Sequence, residues 1–361
     1  MRANPAGILL ICVGGVGCLG SDVNGYTPPP RPIAPELESV AYDLLGSGKV
    51  AFTRLGPTEN QYHATYIIDG SARTSRYVLD TGLVYGPALS PDGQKLAFNN
   101  LDLAHPASLD DVYIANADGT NVQLLWKRAG SEGPPLWSPD GTKILVAAAA
   151  PGNYNPDIYS LSPAPDQPNP TRLTSFVVVD EGSSCPIMDD VDNRVSMSSK
   201  GQFVFPCVRF EINVLSSSGD LAAKYRSDRA NLSHWESSMA AAWSPDGTRV
   251  AFIQAITDSD HGEEVGDEVT SLDLKLMDAD GTNVTTISTF PVNGPEDVAF
   301  SWAGHGNFSL CWMPDGSRIV LSVPEGRAFG HIWVVKVDGS GKTQLTSRAS
   351  VWDRSVSCSR S

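Results

Sequence analysis

The sequence predicts an all-β protein, a six-bladed β-propeller of four-stranded antiparallel blades whose ring is closed by the C-terminal strand. Three observations predict it. One phrase recurs along the chain, a second motif follows each recurrence, and the last residues resemble a run that the first repeat lacks. The phrase reads "ALSPDGQKLAF" at 88–98, "LWSPDGTKILV" at 136–146, "AWSPDGTRVAF" at 242–252 and "CWMPDGSRIVL" at 311–321. Its glycine falls at Gly93, Gly141, Gly247 and Gly316. Two worn copies complete the series, "LGSGKVAF" (45–52) with Gly48 and "SMSSKGQFVF" (196–205) with Gly201. The steps between copies are 45, 48, 60, 46 and 69 residues.

The phrase itself encodes a hairpin. Proline presets φ at the second turn position, Asp tolerates the third, and Gly takes the positive-φ position that closes the turn. The runs before it ("PPLW", "AAAW", "SLCW") are short, apolar and bounded by turns, as buried strands are. The runs after it ("KILVAA", "RVAFIQ", "RIVLSV") supply a second strand. The motif that follows reads in turn "YIIDGSARTSRYVL", "VYIANADGTNVQLL", "IYSLSPAPDQPNPTRLT", "INVLSSSGDLAAKYRS", "LKLMDADGTNVTTIS" and "IWVVKVDGSGKTQLT". Each has an apolar strand, a turn rich in Gly, Asp, Asn or Pro, and another short strand. Four strands per period of about 45 residues are the signature of propeller blades.

Composition agrees. The 361 residues include 33 Gly and 26 Pro, with 41% hydrophobic and 19% charged residues, which suits a globular β protein with many turns. A formal charge of −15 opposes nucleic-acid binding and a broad surface for anionic lipid headgroups. It serves solubility first.

Residues 1–18 read as an export signal. "MRANPAGILLICVGGVGC" holds a single basic residue, Arg2, and then an apolar run from Ile8 to Val16 that is too short for a bilayer. Gly-Val-Gly-Cys at 15–18 resembles a bacterial lipobox, which implies lipidation of Cys18. Gly15 departs from the usual Leu, and a plain signal cut near Gly20, giving a secreted protein, is the alternative. Residues 19–36 form a Pro-rich tether, with five prolines in "SDVNGYTPPPRPIAPE". The propeller occupies 37–361. The membrane is met through a lipid anchor only.

The first repeat begins without its inner strand, and "DRSVSCS" (353–359) resembles the missing run. It is expected to return there and seal the ring. Outside the signal, four cysteines remain, Cys185, Cys207, Cys311 and Cys358, and four allow three pairings. Under the closure model Cys311 and Cys358 lie on inner strands of adjacent blades and would staple the seam. Cys185 and Cys207 belong to one blade and would pair locally.

The phrase Trp-Ser-Pro-Asp-Gly-x-Lys/Arg with its downstream Asp-Gly and Leu-Thr resembles the WD40-like (PD40) repeat of the TolB family of bacterial six-bladed propellers, over roughly 37–361. The resemblance implies an envelope protein whose propeller is a docking ring for an envelope protein or a peptidoglycan-associated partner. The chain departs from that family in having a tether where TolB carries an α/β domain, and in its lipobox-like cysteine.

Catalysis is not expected. Prolyl peptidases with such propellers need a Gly-x-Ser-x-Gly elbow, and none occurs. "DGSGKT" (338–343) has Lys336 where a phosphate loop needs glycine. The six histidines, His63, His105, His234, His261, His305 and His331, include no i, i+4 pair, and "MDDVDN" (188–193) and "DSDHGEEVGDE" (258–268) lack calcium-loop spacing. No cofactor or metal is expected. A glycan-binding or metal-dependent oligosaccharide-lyase-like propeller is the alternative function.

Loops leading into the inner strands ring one mouth of a propeller and carry its function. Here they offer Tyr85, Glu132, Asp192, Arg194, His234, Trp235, Glu236, His305, Trp352, Asp353 and Arg354. Trp and Arg at a concave mouth are the residue types that dominate interface energy. The sequence therefore reads as a non-catalytic, monomeric docking module of the bacterial cell envelope.

Overall fold

The computed structural model describes residues 37, 38, 40–56, 63–79, 83–101, 111–127, 133–148, 157–174, 195–207, 211–226, 234–258, 268–291, 308–325 and 329–359. The signal, Cys18 and the tether lie outside these residues, as does Cys185.

After a 3-10 turn at Tyr42–Leu44, the described residues form almost nothing but antiparallel strands. The first three are β1 (Lys49–Leu55), β2 (His63–Asp69) and β3 (Thr74–Leu79). Four sheets of four strands follow. They are β4 (Leu83–Leu89), β5 (Lys95–Leu101), β6 (Asp111–Asn116), β7 (Gln123–Trp126); β8 (Leu136–Trp137), β9 (Ile144–Ala148), β10 (Asp157–Leu161), β11 (Thr171–Arg172); β12 (Ser196–Met197), β13 (Phe203–Cys207), β14 (Glu211–Leu215), β15 (Leu221–Arg226); and β16 (His234–Trp243), β17 (Arg249–Asp258), β18 (Glu268–Asp278), β19 (Thr285–Pro291). The last strands are β20 (Leu310–Trp312), β21 (Arg318–Pro324), β22 (Gly330–Lys336), β23 (Lys342–Gln344) and β24 (Trp352–Cys358). They join β1–β3 in one eight-stranded sheet, in which the β20–β23 half meets the β24-β1-β2-β3 half through a single parallel bridge, Gly330 to Trp352.

The first strands of successive units touch: β24 on β4, β4 on β8, β12 on β16, β16 on β20, and β20 back on β24. That circuit is the propeller arrangement. Each second strand is buried on both sides because its residues alternate between neighbours. Val50 and Phe52 pack toward the β20–β23 unit, whereas Ala51 packs toward the next sheet. Every hydrophobic cluster among the described residues spans two successive units, so the core lies between sheets. Hydrogen bonds cross the same junctions. Trp137 and Trp312 donate their indole N–H to the carbonyls of Ala88 and Ala242, both at 3.1 Å. Elsewhere a serine hydroxyl accepts a neighbouring sheet's amide: Ser357 from Leu89, Ser196 from Trp243 and Ser309 from Val356. The tryptophan of the repeated phrase is thus a seam residue.

The turns explain why the phrase repeats. In each, the glycine amide bonds the carbonyl three residues back, and Gly93, Gly141, Gly247 and Gly316 have φ of +64° to +71°. The aspartate does more than tolerate its position. Asp140 Oδ1 accepts from the Ser138 hydroxyl (2.6 Å) and from the Thr142 amide and hydroxyl (3.0 and 2.9 Å). Asp246 repeats this with Ser244 and Thr248. The serine bond, aided by the amide, holds both carboxyls below their ordinary range. The first worn copy differs: its left-handed residue is Gly46 (φ +56°), not Gly48, which is wedged against Met313 and Pro314.

The C-terminal run returns to the first repeat. β24 pairs antiparallel with β1, Val50 opposite Cys358 and Arg54 opposite Asp353, with a bulge where Ser355 takes φ +58°. Cys311 and Cys358 are disulfide-bonded, as the closure model requires, with Cα atoms 5.6 Å apart. The second expected pairing lies outside the described side chains.

Candidate functional site: the loop end of the ring

Because every unit is a meander, the Ser-Pro-Asp-Gly turns and the third-to-fourth-strand turns share one end of the ring. The starts of the first and third strands share the other, which we term the loop end. Tyr85 falls in β4 opposite Asn99, His234, Trp235 and Glu236 open β16 opposite Asp258, Thr257 and Ile256, and Trp352, Asp353 and Arg354 open β24. The topology brings these positions to the loop end. Glu132, Asp192, Arg194 and His305 lie outside the described residues, as do the side chains of Tyr85, His234, Trp235 and Glu236.

Two expectations need correction. The positions at 85, 234–236 and 352–354 stand on strands, not in loops, because β16 and β17 are ten-residue strands, β4 runs through position 85 and β24 begins at Trp352. Asp353 does not face solvent. Its side chain is fully buried, and register places it against Arg54, whose Nε and Nη2 donate to its two oxygens at 2.6 and 2.7 Å. Trp352 and Arg354 are half-buried. The Trp352 indole nitrogen packs over Gly330, where a Cβ would meet it at 3.1 Å and the Val323 carbonyl at 2.9 Å.

Arg54 is the centre of the described part of this end. It is 0% exposed, stacked near Phe52 and Tyr66, and its remaining donors reach Glu38 at 3.0 and 3.1 Å. Burial opposes its charge, but the two carboxylates outweigh that and raise it. Complete burial pushes the Asp353 carboxyl up, against the pull of Arg54. Glu38 is partly buried, which also works upward. The Arg54 bonds and the Ser347 amide prevail, and its carboxyl falls to about 2. Glu38 Oε1 accepts the Ser347 and Arg348 amides at 2.7 and 3.1 Å.

The same turn is held from its other side. His331 Nε2 is 3.0 Å from the Arg348 carbonyl, and Nδ1 is 3.0 Å from Glu325 Oε2. Burial disfavours the imidazolium, yet the Glu325 carboxylate and that carbonyl raise it above the ordinary histidine value. Glu325, ion-paired with His331 and bonded to the Trp333 indole, is correspondingly lowered.

Sequence reasoning missed Arg54, Glu38, Glu325 and the pairing role of His331. The available signal was Arg54 itself, a lone arginine inside an apolar second-strand run, "KVAFTRL". Among the described residues no three His, Cys, Asp or Glu side chains converge as a metal site, and no helix is long and apolar enough to cross a membrane.

Strand topology and seams define a β-propeller. No family model matches the sequence. Among solved structures the fold is similar to that of TolB from Acinetobacter baumannii, with 18% identity over 87% of this chain and 67% of that one, at a TM-score of 0.58. Hydrazine synthase of Kuenenia stuttgartiensis matches at 12% identity and a TM-score of 0.50, over 90% of this chain but only 47% of that one. Oligogalacturonate lyase from Vibrio parahaemolyticus superposes more loosely, with 14% identity, 82% and 72% coverage, and a TM-score of 0.41. The chain has a TolB-like β-propeller fold, and at these identities the likeness is one of fold.

Proposed function

We propose that this protein is a non-catalytic docking module of the bacterial cell envelope, a six-bladed propeller that binds a protein partner through the loop end of its ring. The eight-stranded sheet is in this reading two blades that meet at one bridge, which with the four separate sheets makes six. In this reading residues 1–18 direct export, Cys18 carries the lipid, 19–36 form the tether and 37–361 the ring. A monomer is held at the envelope by its anchor alone and meets an envelope or peptidoglycan-associated protein.

The observation that carries the reading is the contrast in the chain itself. The turn end repeats one hydrogen-bonded device, while the described loop-end positions bring His234, Trp235, Trp352 and Arg354 to strand starts on a single side of a rigid scaffold. Rigid scaffolds presenting varied loops are how such rings recognise partners. The TolB-like fold supports the same class of role.

Cross-linking in native envelopes tests it, comparing wild type with a His234→Ala, Trp235→Ala variant and with a Leu124→Ser variant on an outer strand. A protein captured by wild type and the outer-strand variant, and lost from the loop-end variant at unchanged thermal stability, is the expected result. Equal capture by all three moves the interface off the loop end. If instead the purified protein carries metal or titrates with acidic oligosaccharides, the glycan reading replaces this one.

A further inference from the structure

The peptide from Ser347 to Arg348 leads the chain into β24 and is gripped on both sides. Glu38 takes its two amides, and His331 Nε2 faces the Arg348 carbonyl. A carbonyl only accepts, so Nε2 carries a hydrogen. Nδ1 faces the Glu325 carboxylate, which in its ionised form also only accepts. A neutral ring with its one hydrogen on Nε2 would turn the Nδ1 lone pair toward that carboxylate. The ion pair at Nδ1, made without hydrogen-bond alignment, therefore favours the charged ring at 5% exposure. Glu325 is fixed in place by the Trp333 indole at 3.1 Å. Among the described residues the other charged groups nearby are Asp353 of β24, which favours the imidazolium, Arg348 itself, and the Glu38–Arg54 pair across the Ser347–Arg348 peptide. The Phe329 ring, 6.3 Å away, closes the remaining side.

The opposite end of β24 is fastened differently. Cys358 is bonded to Cys311, the Ser359 hydroxyl accepts the Lys49 amide, and the Ser359 amide donates to the Lys49 carbonyl. None of these groups changes protonation near neutral pH.

We propose that the seam is a latch with one titratable end: loss of the His331 proton releases the Ser347–Asp353 stretch at the loop end, while the disulfide keeps the turn end of β24 shut. The direction follows from linkage. A histidine held above its ordinary value contributes fully below that value, and its contribution is lost as pH rises through the elevated one. Loosening is thus an effect of rising pH, at the end of the ring that also bears Trp352 and Arg354.

Hydrogen exchange read by mass spectrometry on the full oxidised chain tests this, from about pH 6 to about pH 9 and corrected for intrinsic exchange, so that the range brackets histidine titration. Amides in 347–353 are expected to lose protection about tenfold across that range, the size of one lost hydrogen bond to a charged group. Amides at 357–359 are expected to stay unchanged. In parallel, the His331 ring signal in the wild-type spectrum is expected to titrate above the ordinary histidine value, and Glu325→Gln to move that titration and the exchange step down together. His331→Gln is expected to show the low protection at every pH. A flat exchange profile, a His331 ring already neutral at about pH 6, or an exchange step that Glu325→Gln leaves in place overturns the proposal. The wild-type measurements decide it even if a variant fails to fold.

Discussion

At the turn end, Asp140 and Asp246, in different sheets, make the same three hydrogen bonds with the same geometry, and each glycine sits at nearly the same φ. At the loop end, equivalent positions near the ends of second strands carry Thr53 and Arg54, Asn99, Gln254, and Ser322, all buried and each in a different bonding situation. Asn99 donates to the Gly133 carbonyl, Ser322 accepts from the Ser309 amide, and Arg54 binds two carboxylates. The difference is one of range. The turn is closed by groups at most five residues apart, so each repeat supplies its own and all converge on one solution. The loop-end groups named above find partners 13 to 299 residues away, so each must be solved once.

The sharpest way to break the comparison is Arg54→Ala. It strands Asp353 as a buried, uncompensated carboxylate, for which the expected loss is about 3–5 kcal/mol in denaturant unfolding. Pairing Arg54→Met with Asp353→Leu should recover most of it. A loss below about 1 kcal/mol would mean that this end is not fastened by the pair. Next is the bond between Cys311 and Cys358, which spans 47 residues. Cys311→Ser with Cys358→Ser should lower stability by about 2–4 kcal/mol, measured against wild type under oxidising and reducing conditions.

Smaller effects sharpen the turn end. Gly247→Ala forces a side chain into φ +66° and should lose about 1–2 kcal/mol, whereas Gly341→Ala, with nothing within 4 Å of its new Cβ, should be nearly silent. Asp140→Ala and Asp246→Ala should each lose about 1 kcal/mol and, importantly, the same amount. Unequal losses would break the claim of a shared local device. The smallest is acid sensitivity at Glu38, whose contribution is full above its ordinary value of 4.5 and fades as pH falls toward about 2. Glu38→Gln should flatten the stability profile in that window, read from thermal midpoints across it.

The repeats, the hairpins and the return of "DRSVSCS" to the first sheet were all legible, because their chemistry is local and recurs. The staple between Cys311 and Cys358 followed from closure rather than from spacing. The loop-end lock was not legible: Arg54 and Asp353 are 299 residues apart, and each reads in sequence as an ordinary charged residue. Asp353 reads in sequence as a mouth residue for the same reason, since nothing local says that register will bury it. His331 failed differently. It reads in sequence as one of six histidines without metal-ligand spacing, whereas its two partners lie six residues before it and seventeen after it in the chain.

The last strand also sets the order in which this molecule can be assembled. β1 lacks its inner neighbour until residues 352–358 emerge, and Lys49 then bonds Ser359 across 310 positions. Until that moment the first sheet has a bare edge, open to the wrong strand or to another chain. Contacts of such sequence separation make closure the slow event. A truncation before Trp352 should therefore leave the finished repeats folded on each other but the ring sticky, and aggregation rather than loss of secondary structure would be its mark.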